Sequence, residues 1–465
     1  MARVLVLSAA LAAVLTVSPF SVVNAKVSAG EAAKLKTELT PMGAERAGNA
    51  DGSIPAWTGG LTPDKAPGNY EKGKHLPDPF VEDKTLFTIT PQNLSQYKDK
   101  LPLGVQALMA AYPSSFFVPV YPSRRTAAAP DWVYQNTAKN AVAADLANSG
   151  NGIENAYGGV PFPIPKGANG KVDPLMVLWN HLTRWRGVYV IRHSAQATVQ
   201  ANGAFSEVIG RQEVDFAYYH PKGSFATLDN RLLNYISVTK SPPRLAGGAV
   251  LLHDTIDQVA QPREAWGYNA GQRKVRRAPN LAYDTPVSSA DGLMTADDVD
   301  MFNGAPDKYD WQLIGKKEMY IPYNNYRLAS PSYRYKDLLK PGHVLSDATR
   351  WELHRVWVIQ GTLKAGQRHI YSKRTYYIDE DGWSVVAGDL YNAEGKLFRV
   401  PLSFLMTYYQ VPVLWTTLDA YHDLPSKRYY VSFLGNEEKV SLEFRNDPEP
   451  ASYFQPAALR RRGTR

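Results

Sequence analysis

Alternating apolar and polar runs, paired across short turn sequences, leave this chain few possible folds. Residues 188–201 and 204–219 flank Asn202-Gly203, the strongest short-range signal for a β-hairpin. The same pattern recurs across three later turns, joining residues 265–268 to 272–276, 369–378 to 384–391, and 384–391 to 396–401. Strands joined by tight turns are antiparallel neighbours. We therefore predict an antiparallel sheet of ten or more strands, which has to curl and leaves one concave apolar face.

The residues before this sheet predict helices and an irregular arm. Residues 26–100 are rich in turn-forming residues and lack periodicity, which is typical of a flexible arm or of a wrapping segment. The apolar residues Ile54, Trp57, Leu61 and Tyr70 favour wrapping. Helices are predicted at residues 103–112, 131–148, 173–185 and 295–303, the last with Thr295 and Asp298 as a capping box.

Together these patterns predict an α+β protein. Its expected fold is a large curled antiparallel β-sheet, or half-barrel, with helices on the concave side and the irregular N-terminal arm around it. The expected organisation is a signal peptide at 1–25, the wrapping arm and helices at 26–170, the β half-barrel at 171–450, and a disordered basic tail at 451–465.

The first 25 residues have the anatomy of a secretory signal peptide. Arg3 precedes an apolar run, and Val23-Asn24-Ala25 supplies the small residues for cleavage after Ala25. Pro19 and Ser21 interrupt the run, which argues against a membrane anchor. The chain has no Cys, which excludes disulfides, thiolate metal sites and a lipoprotein anchor on its own cysteine. We expect export to a Gram-negative periplasm. There the protein is either free or attached peripherally to the outer membrane.

No catalytic or cofactor motif is visible in the sequence. Gly-x-Ser-x-Gly and His-Glu-x-x-His are absent, and Gly68 to Lys74 is followed by His75 where a phosphate loop needs Ser or Thr. The acids of Asp379-Glu380-Asp381-Gly382 suit a hairpin turn, and Asp297, Asp298 and Asp300 suit a helix start. We predict no enzyme, no cofactor and no metal, so calcium should be unnecessary. The net charge of +8 is spread without a recognition motif, which disfavours nucleic acid.

Two segments combine aromatic and basic residues and are candidate partner-binding sites. The first contains Trp179, His181, Arg184, Trp185 and Arg186; the alternative is a helix that packs on the sheet with its arginines at the C-terminal end. The second contains Arg263, Trp266, Arg276 and Arg277, which either grip an acidic partner or form a solvated face.

Candidate ligand-binding residues lie on the strand predicted at 351–360. Alternation places five residues on one side, and we assign this more apolar side to the concave face: Trp351, Leu353, Arg355, Trp357 and Ile359. Arg355 would meet an anionic headgroup at a pocket mouth, with Trp357 and Ile359 along an acyl chain. The alternative is a salt bridge from Arg355 to a neighbouring acid over a packed core.

Several strings in this chain resemble one protein family. They are EAA at 31–33, LTPMGAERAGNADGSIPAWTGG at 39–60, WNHLTRWRG at 179–187, PRxAW at 262–266, RRAP at 276–279, MFNGAP at 301–306 and ELHRVW at 352–357. In this order they resemble the family called domain of unknown function 1329. That resemblance implies an exported protein similar in fold to LolA and LolB, which carry acyl chains inside a half-open barrel covered by helices. No functional residues are established for the family.

The resemblance implies one of two functions. The first is a non-enzymatic periplasmic carrier or binder of a lipid-like or other hydrophobic molecule, accessory to an exporter of the resistance-nodulation-division (RND) superfamily. The second is a structural or adaptor protein that docks an exporter or an outer-membrane partner and binds no small molecule. An unfilled apolar cavity would favour the carrier, and a packed interior with an exposed aromatic and basic patch would favour the adaptor.

Overall fold

The structure is a computed structural model that describes residues 26–167, 169–278 and 283–463, so the predicted signal peptide and its cleavage point lie outside the described residues. The strands are β1 (Phe87–Ile89), β2 (Val118–Val120), β3 (Asp145–Ala147), β4 (Gly152–Glu154), β5 (Tyr189–Val199), β6 (Phe205–Asp215), β7 (Arg231–Ser241), β8 (Ala249–Thr255), β9 (Glu264–Asn269), β10 (Lys274–Ala278), β11 (Tyr309–Pro322), β12 (Trp351–Leu363), β13 (Lys373–Asp379), β14 (Val385–Tyr391), β15 (Leu397–Tyr408), β16 (Val413–Asp423), β17 (Arg428–Leu434) and β18 (Leu442–Arg445). The helices are α1 (Ala29–Ala32), α2 (Leu94–Tyr97), α3 (Leu103–Ala111), α4 (Asp131–Ala143), α5 (Pro174–Leu182), α6 (Tyr335–Leu338) and α7 (Pro456–Gly463). None of these helices has the length and apolarity that crossing a membrane requires.

Sixteen of the strands form one open sheet. Its order is β1-β2-β12-β13-β14-β15-β16-β17-β5-β6-β7-β8-β9-β10, with β11 paired to β12 and β18 to β5. Every described pairing is antiparallel except a single parallel bridge between Trp351 and Val120. Strands β3 and β4 form a separate two-stranded ribbon. The predicted large, open and mainly antiparallel sheet with added helices is confirmed.

The hairpin predicted at Asn202-Gly203 has the expected register. Strands β5 and β6 pair from Tyr189 opposite Asp215 to Val199 opposite Phe205 without a bulge. Gly203 adopts a positive φ of 87°, which Asn-Gly turns require. The sheet continues through β15, as predicted, because each later turn also joins neighbouring strands.

Both faces of the sheet are covered, whereas helices were expected only on a concave side. Tyr376 and Tyr377 are neighbours on β13, yet they belong to different apolar clusters. Successive side chains of a strand point to opposite faces, so these clusters lie on opposite sides of the sheet. Helix α3 contributes to the cluster of Tyr377 and helix α5 to the cluster of Tyr376. The sheet is therefore a packed middle layer.

The N-terminal arm wraps the sheet as predicted. Ile54 and Leu61 are buried, one in each apolar cluster. The Trp57 indole donates a hydrogen bond to the Ala127 carbonyl at 2.9 Å, and the Trp383 indole donates to the Met42 carbonyl at 2.8 Å. Apolar burial and backbone hydrogen bonds thus hold a segment that has little regular structure of its own.

The helix predicted at 295–303 is wrong beyond its first turn. The Thr295–Asp298 capping box is present, but the helical segment is the single 3₁₀ turn Ala296–Asp298. Asp300 and Met301 have positive φ angles of 56° and 72°, which no right-handed helix accommodates. Helix α4 likewise ends at Ala143, before strand β3, whereas it was predicted to reach residue 148.

The disordered basic tail predicted at 451–465 is wrong for its described part. Residues 451–463 form a 3₁₀ turn and helix α7, which pack on strands β8 to β10. Phe454 and Leu459 are buried against Tyr189 and Ile191 of β5. The apolar residues that precede the arginines therefore anchor the segment, and the charge run alone did not reveal them.

Candidate ligand-binding cleft

A cleft of about 570 Å³ lies between the N-terminal arm and the chain around β12. The arm residues 69–83 form one wall, and the loop after β11 together with Thr349 and Arg350, just before β12, forms the other. Its lining is Asn69, His75, Leu76, Pro77, Asp78, Phe80, Val81, Asp83, Tyr121, Asn324, Tyr326, Arg327, Ser330, Pro331, Ser332, Tyr333, Thr349 and Arg350. A volume of this size is typical of small-molecule sites.

Arg350 fixes the arm to the wall of the cleft. Its guanidinium lies 2.7 Å from Asp83 of the arm and 2.6 Å from Glu352 of β12. It also lies over the rings of Phe80 and Tyr121, at 5.3 and 4.9 Å from their centroids. Burial alone would raise the pKa of Asp83, but hydrogen bonds from Arg124 and Arg350 hold it below its ordinary value. The positive charge of Arg350 is therefore compensated by Asp83 and Glu352. These contacts hold this wall of the cleft in a fixed position.

The apolar part of the cleft is contributed mainly by the arm. Phe80 packs edge-on against Tyr326, with 6.3 Å between the ring centroids. Leu76 is half-buried, and Val81 is 74% exposed at the mouth. An isolated exposed valine is ordinary, but here it continues an apolar strip into a concave site. The cleft therefore offers apolar surface that the protein itself does not cover.

The serine and threonine hydroxyls of the cleft bond to each other or to the backbone. The Ser330 and Ser332 hydroxyls lie 2.8 Å apart and bond to each other, and the Thr349 hydroxyl donates to the Ser346 carbonyl at 2.7 Å. The His75 ring nitrogen lies 2.7 Å from the Glu438 carbonyl. Among the described residues of the lining, no hydroxyl pairs with a histidine or carboxylate base. An adjacent base of this kind is one of the ways in which proteins activate a hydroxyl nucleophile.

Burial acts on Asp78 inside the cleft and raises the pKa of its carboxyl. At the rim, Arg327 is exposed and bonds to the Tyr333 hydroxyl at 3.2 Å. A second, smaller cavity adjoins the cleft, because His75 and Leu76 line both. Arg192 of β5 lies in that second cavity.

The five predicted ligand-binding residues of β12 do not line the cleft and do not form a common pocket. Trp351 and Leu353 are buried in one apolar cluster and Ile359 in the other. Trp357 is half-buried under Lys316, whose ammonium lies 4.7 Å from the ring centroid. Next to β12, the cleft is lined by Thr349 and Arg350, which immediately precede the strand.

Arg355 follows the alternative that the sequence left open. Its Nε lies 3.5 Å from the Glu45 carboxylate, and it donates a hydrogen bond to the Ala47 carbonyl at 3.0 Å. Both partners belong to the arm. Arg355 therefore holds the arm against β12 and does not line the cleft.

The first predicted partner-binding segment is buried and cannot form a surface. Trp179, His181, Arg184, Trp185 and Arg186 are all less than one-tenth exposed. Trp179 and His181 lie on helix α5 and the other three residues follow it, and Asp300 receives both arginines, Arg184 at 2.6 Å and Arg186 in a second short contact. Burial alone would raise the pKa of Asp300, but the two guanidinium groups hold it well below its ordinary value. The packing alternative is the one observed.

The second predicted segment divides into an internal and an exposed half. Arg263 pairs with the fully buried Asp254 at 3.0 Å, and Trp266 packs edge-on against His253. Arg276 and Arg277 are exposed on β10, which pairs only with β9 among the described strands. Only this half remains available to a partner.

One group of metal-ligand residue types occurs in the described part of the chain. His354, Asp379 and Asp381 are buried with their ligand atoms within 4.8 Å of one another. Arg125 occupies both oxygens of Asp381, at 2.6 and 2.9 Å, and His354 lies 3.0 Å from Glu352. Burial, aided by the charge of Asp381, raises the pKa of Asp379 to about 7. We interpret this group as a buried ionic network, since Arg125 competes for the lone pairs a cation would need.

Sequence reasoning missed the cleft itself. Its walls come from residues 69–83 and 324–350, which are far apart in the chain, and neither carries periodicity or a motif. The only local signal was the aromatic content of an otherwise Gly- and Pro-rich arm. That content indicated wrapping but not what the arm would enclose.

Comparisons with known proteins place the chain in a family. The family model described as "Protein of unknown function (DUF1329)" matches residues 88–460. An uncharacterized protein of Pseudomonas aeruginosa is 47% identical over 447 residues, which cover 95% of each chain. This agrees with the resemblance that the sequence strings suggested.

Two solved structures align with the chain at low identity. A DUF1329 family protein from Desulfovibrio piger has a TM-score of 0.40 at 12% identity, covering 59% of this chain and 92% of its own. A LolA superfamily protein from Nitrosomonas europaea has a TM-score of 0.36 at 14% identity, covering 61% of this chain and 98% of its own. On the family model and the Pseudomonas relative, the chain belongs to the DUF1329 family.

Proposed function

We propose that this protein is a non-enzymatic, exported binder that carries a hydrophobic molecule in the cleft beneath its arm. The observation that carries the proposal is the cleft of about 570 Å³, with an apolar strip on the arm and fixed polar groups opposite. Both faces of the sheet are covered by packed side chains, so we place the ligand in this cleft. The sequence analysis expected a pocket on the concave face of the sheet. The periplasm is the compartment that the sequence favours for such a carrier.

The fixed walls favour binding over chemistry. Arg350 is held by Asp83 and Glu352, so binding does not have to order this side of the site. Preorganised walls reduce the entropic cost of binding, and apolar burial then contributes about 0.8 kcal/mol per methylene. The Ser330, Ser332 and Thr349 hydroxyls are engaged with each other or with a backbone carbonyl, and none of them is paired with a base.

A matched pair of leucine substitutions tests the cleft. Leu76 lines it, whereas Leu86 also lies on the arm but is 61% exposed and outside the lining. We expect Leu76→Glu to weaken binding of the neutral probe N-phenyl-1-naphthylamine by about tenfold or more, because a carboxylate would be buried beside the apolar strip. Leu86→Glu should leave binding unchanged. The measurement is a fluorescence titration of both variants and the wild type.

Protein purified from the periplasm provides the complementary measurement. Native mass spectrometry with lipid extraction should find a hydrophobic molecule on the wild type and less of it on Leu76→Glu. If the probe binds equally to both variants and no hydrophobic molecule is extracted, the carrier function is wrong.

The exposed edge of the sheet favours a second candidate function, attachment to an anionic lipid surface. Arg273, Lys274, Arg276 and Arg277 are exposed on or just before β10. Helix α7, with three further arginines, packs on the same strands. A cluster of this kind attracts anionic headgroups, with a contribution of about 1 kcal/mol per basic residue near the surface. This attachment corresponds to the peripheral position at the outer membrane that the sequence analysis expected, and it differs from the adaptor hypothesis, whose partner is an exporter or an outer-membrane protein.

Vesicle co-sedimentation tests this attachment. Wild-type protein should bind phosphatidylglycerol vesicles and not phosphatidylcholine vesicles. Salt at 0.5 M should release it, because the Debye screening length is then only ~4 Å. Replacing Arg273, Lys274 and Arg276 with Gln should abolish binding. Replacing the exposed arm residues Lys36, Lys72 and Lys84 with Gln removes the same charge and should not. Equal loss in both variants would assign the effect to net charge and reject this surface.

A further inference from the structure

Arg192 is a buried cation that forms no ion pair with any described carboxylate. It lies on β5 with 5% of its surface exposed. Its guanidinium is sandwiched between two rings, 4.4 Å from the Trp415 centroid and 4.1 Å from that of Phe433. Nη2 donates to the Thr416 carbonyl at 3.3 Å, but Nη1 has no hydrogen-bond partner. A buried charge without a partner is unfavourable, so this geometry calls for an anion.

The acids nearest to Arg192 do not satisfy it. Asp300 and Asp419 act on it only through longer-range electrostatics. Asp300 already receives Arg184 and Arg186. Burial raises the pKa of Asp419 to about 6, which weakens it as a counter-charge near that pH. The three arginines therefore exceed the two aspartates in charge.

Arg192 lines the small cavity that adjoins the cleft. The cavity has a volume of about 30 Å³, enough for roughly two water molecules. A carboxylate or one face of a phosphate is of this size. Lys74 and His75 of the arm also line the cavity. A partly cationic, incompletely satisfied cavity is typical of an anion site.

The same cavity has an apolar side that leads toward the cleft. Leu76, Met406 and Leu442 line it, and Leu76 is shared with the cleft. A ligand with an apolar chain and an anionic end would therefore meet apolar surface in the cleft and a guanidinium in the cavity.

We propose that Arg192 binds the anionic group, a carboxylate or a phosphate, of an amphipathic ligand whose apolar part occupies the cleft. This inference rests on the proposed carrier function and names its ligand class. The aromatic sandwich holds the guanidinium plane in place, and the free Nη1 supplies the hydrogen bond to the anion. Guanidinium groups suit carboxylates and phosphates because they offer several donors in a fixed plane.

Calorimetric titration with matched ligands tests the site. Palmitate and hexadecanol share a chain length and differ in charge, while acetate and inorganic phosphate carry charge without a chain. We expect the wild type to bind palmitate at least about tenfold more tightly than hexadecanol, the expected size of one charge-assisted hydrogen bond. Arg192→Met should abolish that preference.

Two further variants keep the test decisive. Arg445→Met makes the same replacement at an exposed arginine outside both cavities and should retain the preference for palmitate. Arg192→Lys keeps the charge without the planar fork and should show an intermediate preference. If Arg192→Met fails to fold, Arg192→Lys is measured in its place. An unchanged preference for palmitate in Arg192→Lys would overturn the role of the planar guanidinium.

Each remaining outcome has a distinct meaning. Equal affinity of the wild type for palmitate and hexadecanol would overturn the anion site and leave the carrier function standing. Acetate or phosphate binding as tight as palmitate would indicate a free-anion site and overturn the amphipathic ligand. Failure of both long-chain ligands to bind would reject the carrier function itself.

Discussion

Replacing Asp300 with Asn should lower the free energy of unfolding by about 3–5 kcal/mol. Asp300 is the only acid that pairs with Arg184 and Arg186 among the described residues, and it also accepts a hydrogen bond from the Trp415 indole at 3.0 Å. The side chains of both arginines are less than one-tenth exposed. Asn keeps the shape but removes the charge, so two guanidinium groups would remain buried without a counter-ion. Urea unfolding followed by tryptophan fluorescence measures the loss.

Asp291→Asn is the matched control. Asp291 also pairs with an arginine, Arg428 at 2.5 Å, but its side chain is 63% exposed. Water screens such a pair, so we expect a change within about 1 kcal/mol. Equal losses in the two variants would contradict the argument, because burial would then not decide the strength of these pairs.

Burial of the Asp300 network also shows what the sequence could not decide. The string from Trp179 to Arg186 is as rich in charge as a surface, and its partner Asp300 lies 116 residues from Arg184. Only the tertiary structure brings the acid to the arginines. The sequence did contain the correct alternative, a helix packed on the sheet, because helix period and arginine position are local properties.

Local turn chemistry explains why the sheet was predictable. Asn202-Gly203 selects a turn with positive φ, and that turn sets the register of β5 against β6. The predicted helix at 295–303 failed for the opposite reason. Its capping box formed, but Asp300 turns into the left-handed region two residues after Asp298 and meets its arginines. A long-range contact thus replaced a local preference.

The position of the candidate site was not predictable from alternation. Odd- and even-numbered residues of β12 are both buried. Val358 and Ile359, for example, belong to apolar clusters on opposite faces of the sheet. Alternation distinguishes a buried face from a solvated one, and it carries no information when both faces are buried. The cleft therefore appeared where the arm meets the sheet, at a place set by tertiary contacts.

Arg125 holds the arm through a buried ion pair and several backbone carbonyls. Its side chain is 3% exposed and makes a bidentate pair with Asp381. The same guanidinium donates to the carbonyls of Glu45 at 2.6 Å, Arg46 at 3.2 Å and Pro55 at 3.3 Å. Burial alone would lower the pKa of Arg125, but Asp381 raises it. With a longer contact to the Ala47 carbonyl at 3.4 Å, one side chain ties four carbonyls of the arm to the turn after β13.

Replacing Arg125 with Met should release the arm and lower the free energy of unfolding by about 3–5 kcal/mol, because Asp381 would stay buried without its partner. Backbone amides at residues 45–55 should exchange with solvent faster than those of β13, and trypsin should cleave after Arg46. Arg124→Met is the control. Arg124 pairs with Asp83 of the same arm, but its side chain is 45% exposed, so a loss within about 1 kcal/mol is expected.

Hydrogen exchange in Arg125→Met distinguishes a residue that holds only the arm, here called a latch, from a residue that stabilises the whole core. If Arg125 is a latch, hydrogen exchange in Arg125→Met rises first in the arm, and binding of the neutral probe falls because the arm forms one wall of the cleft. If exchange rises equally in the arm and in β13, the residue stabilises the whole sheet and the arm has no separate motion. Retained probe binding in a variant with a released arm would show that the ligand does not occupy the cleft.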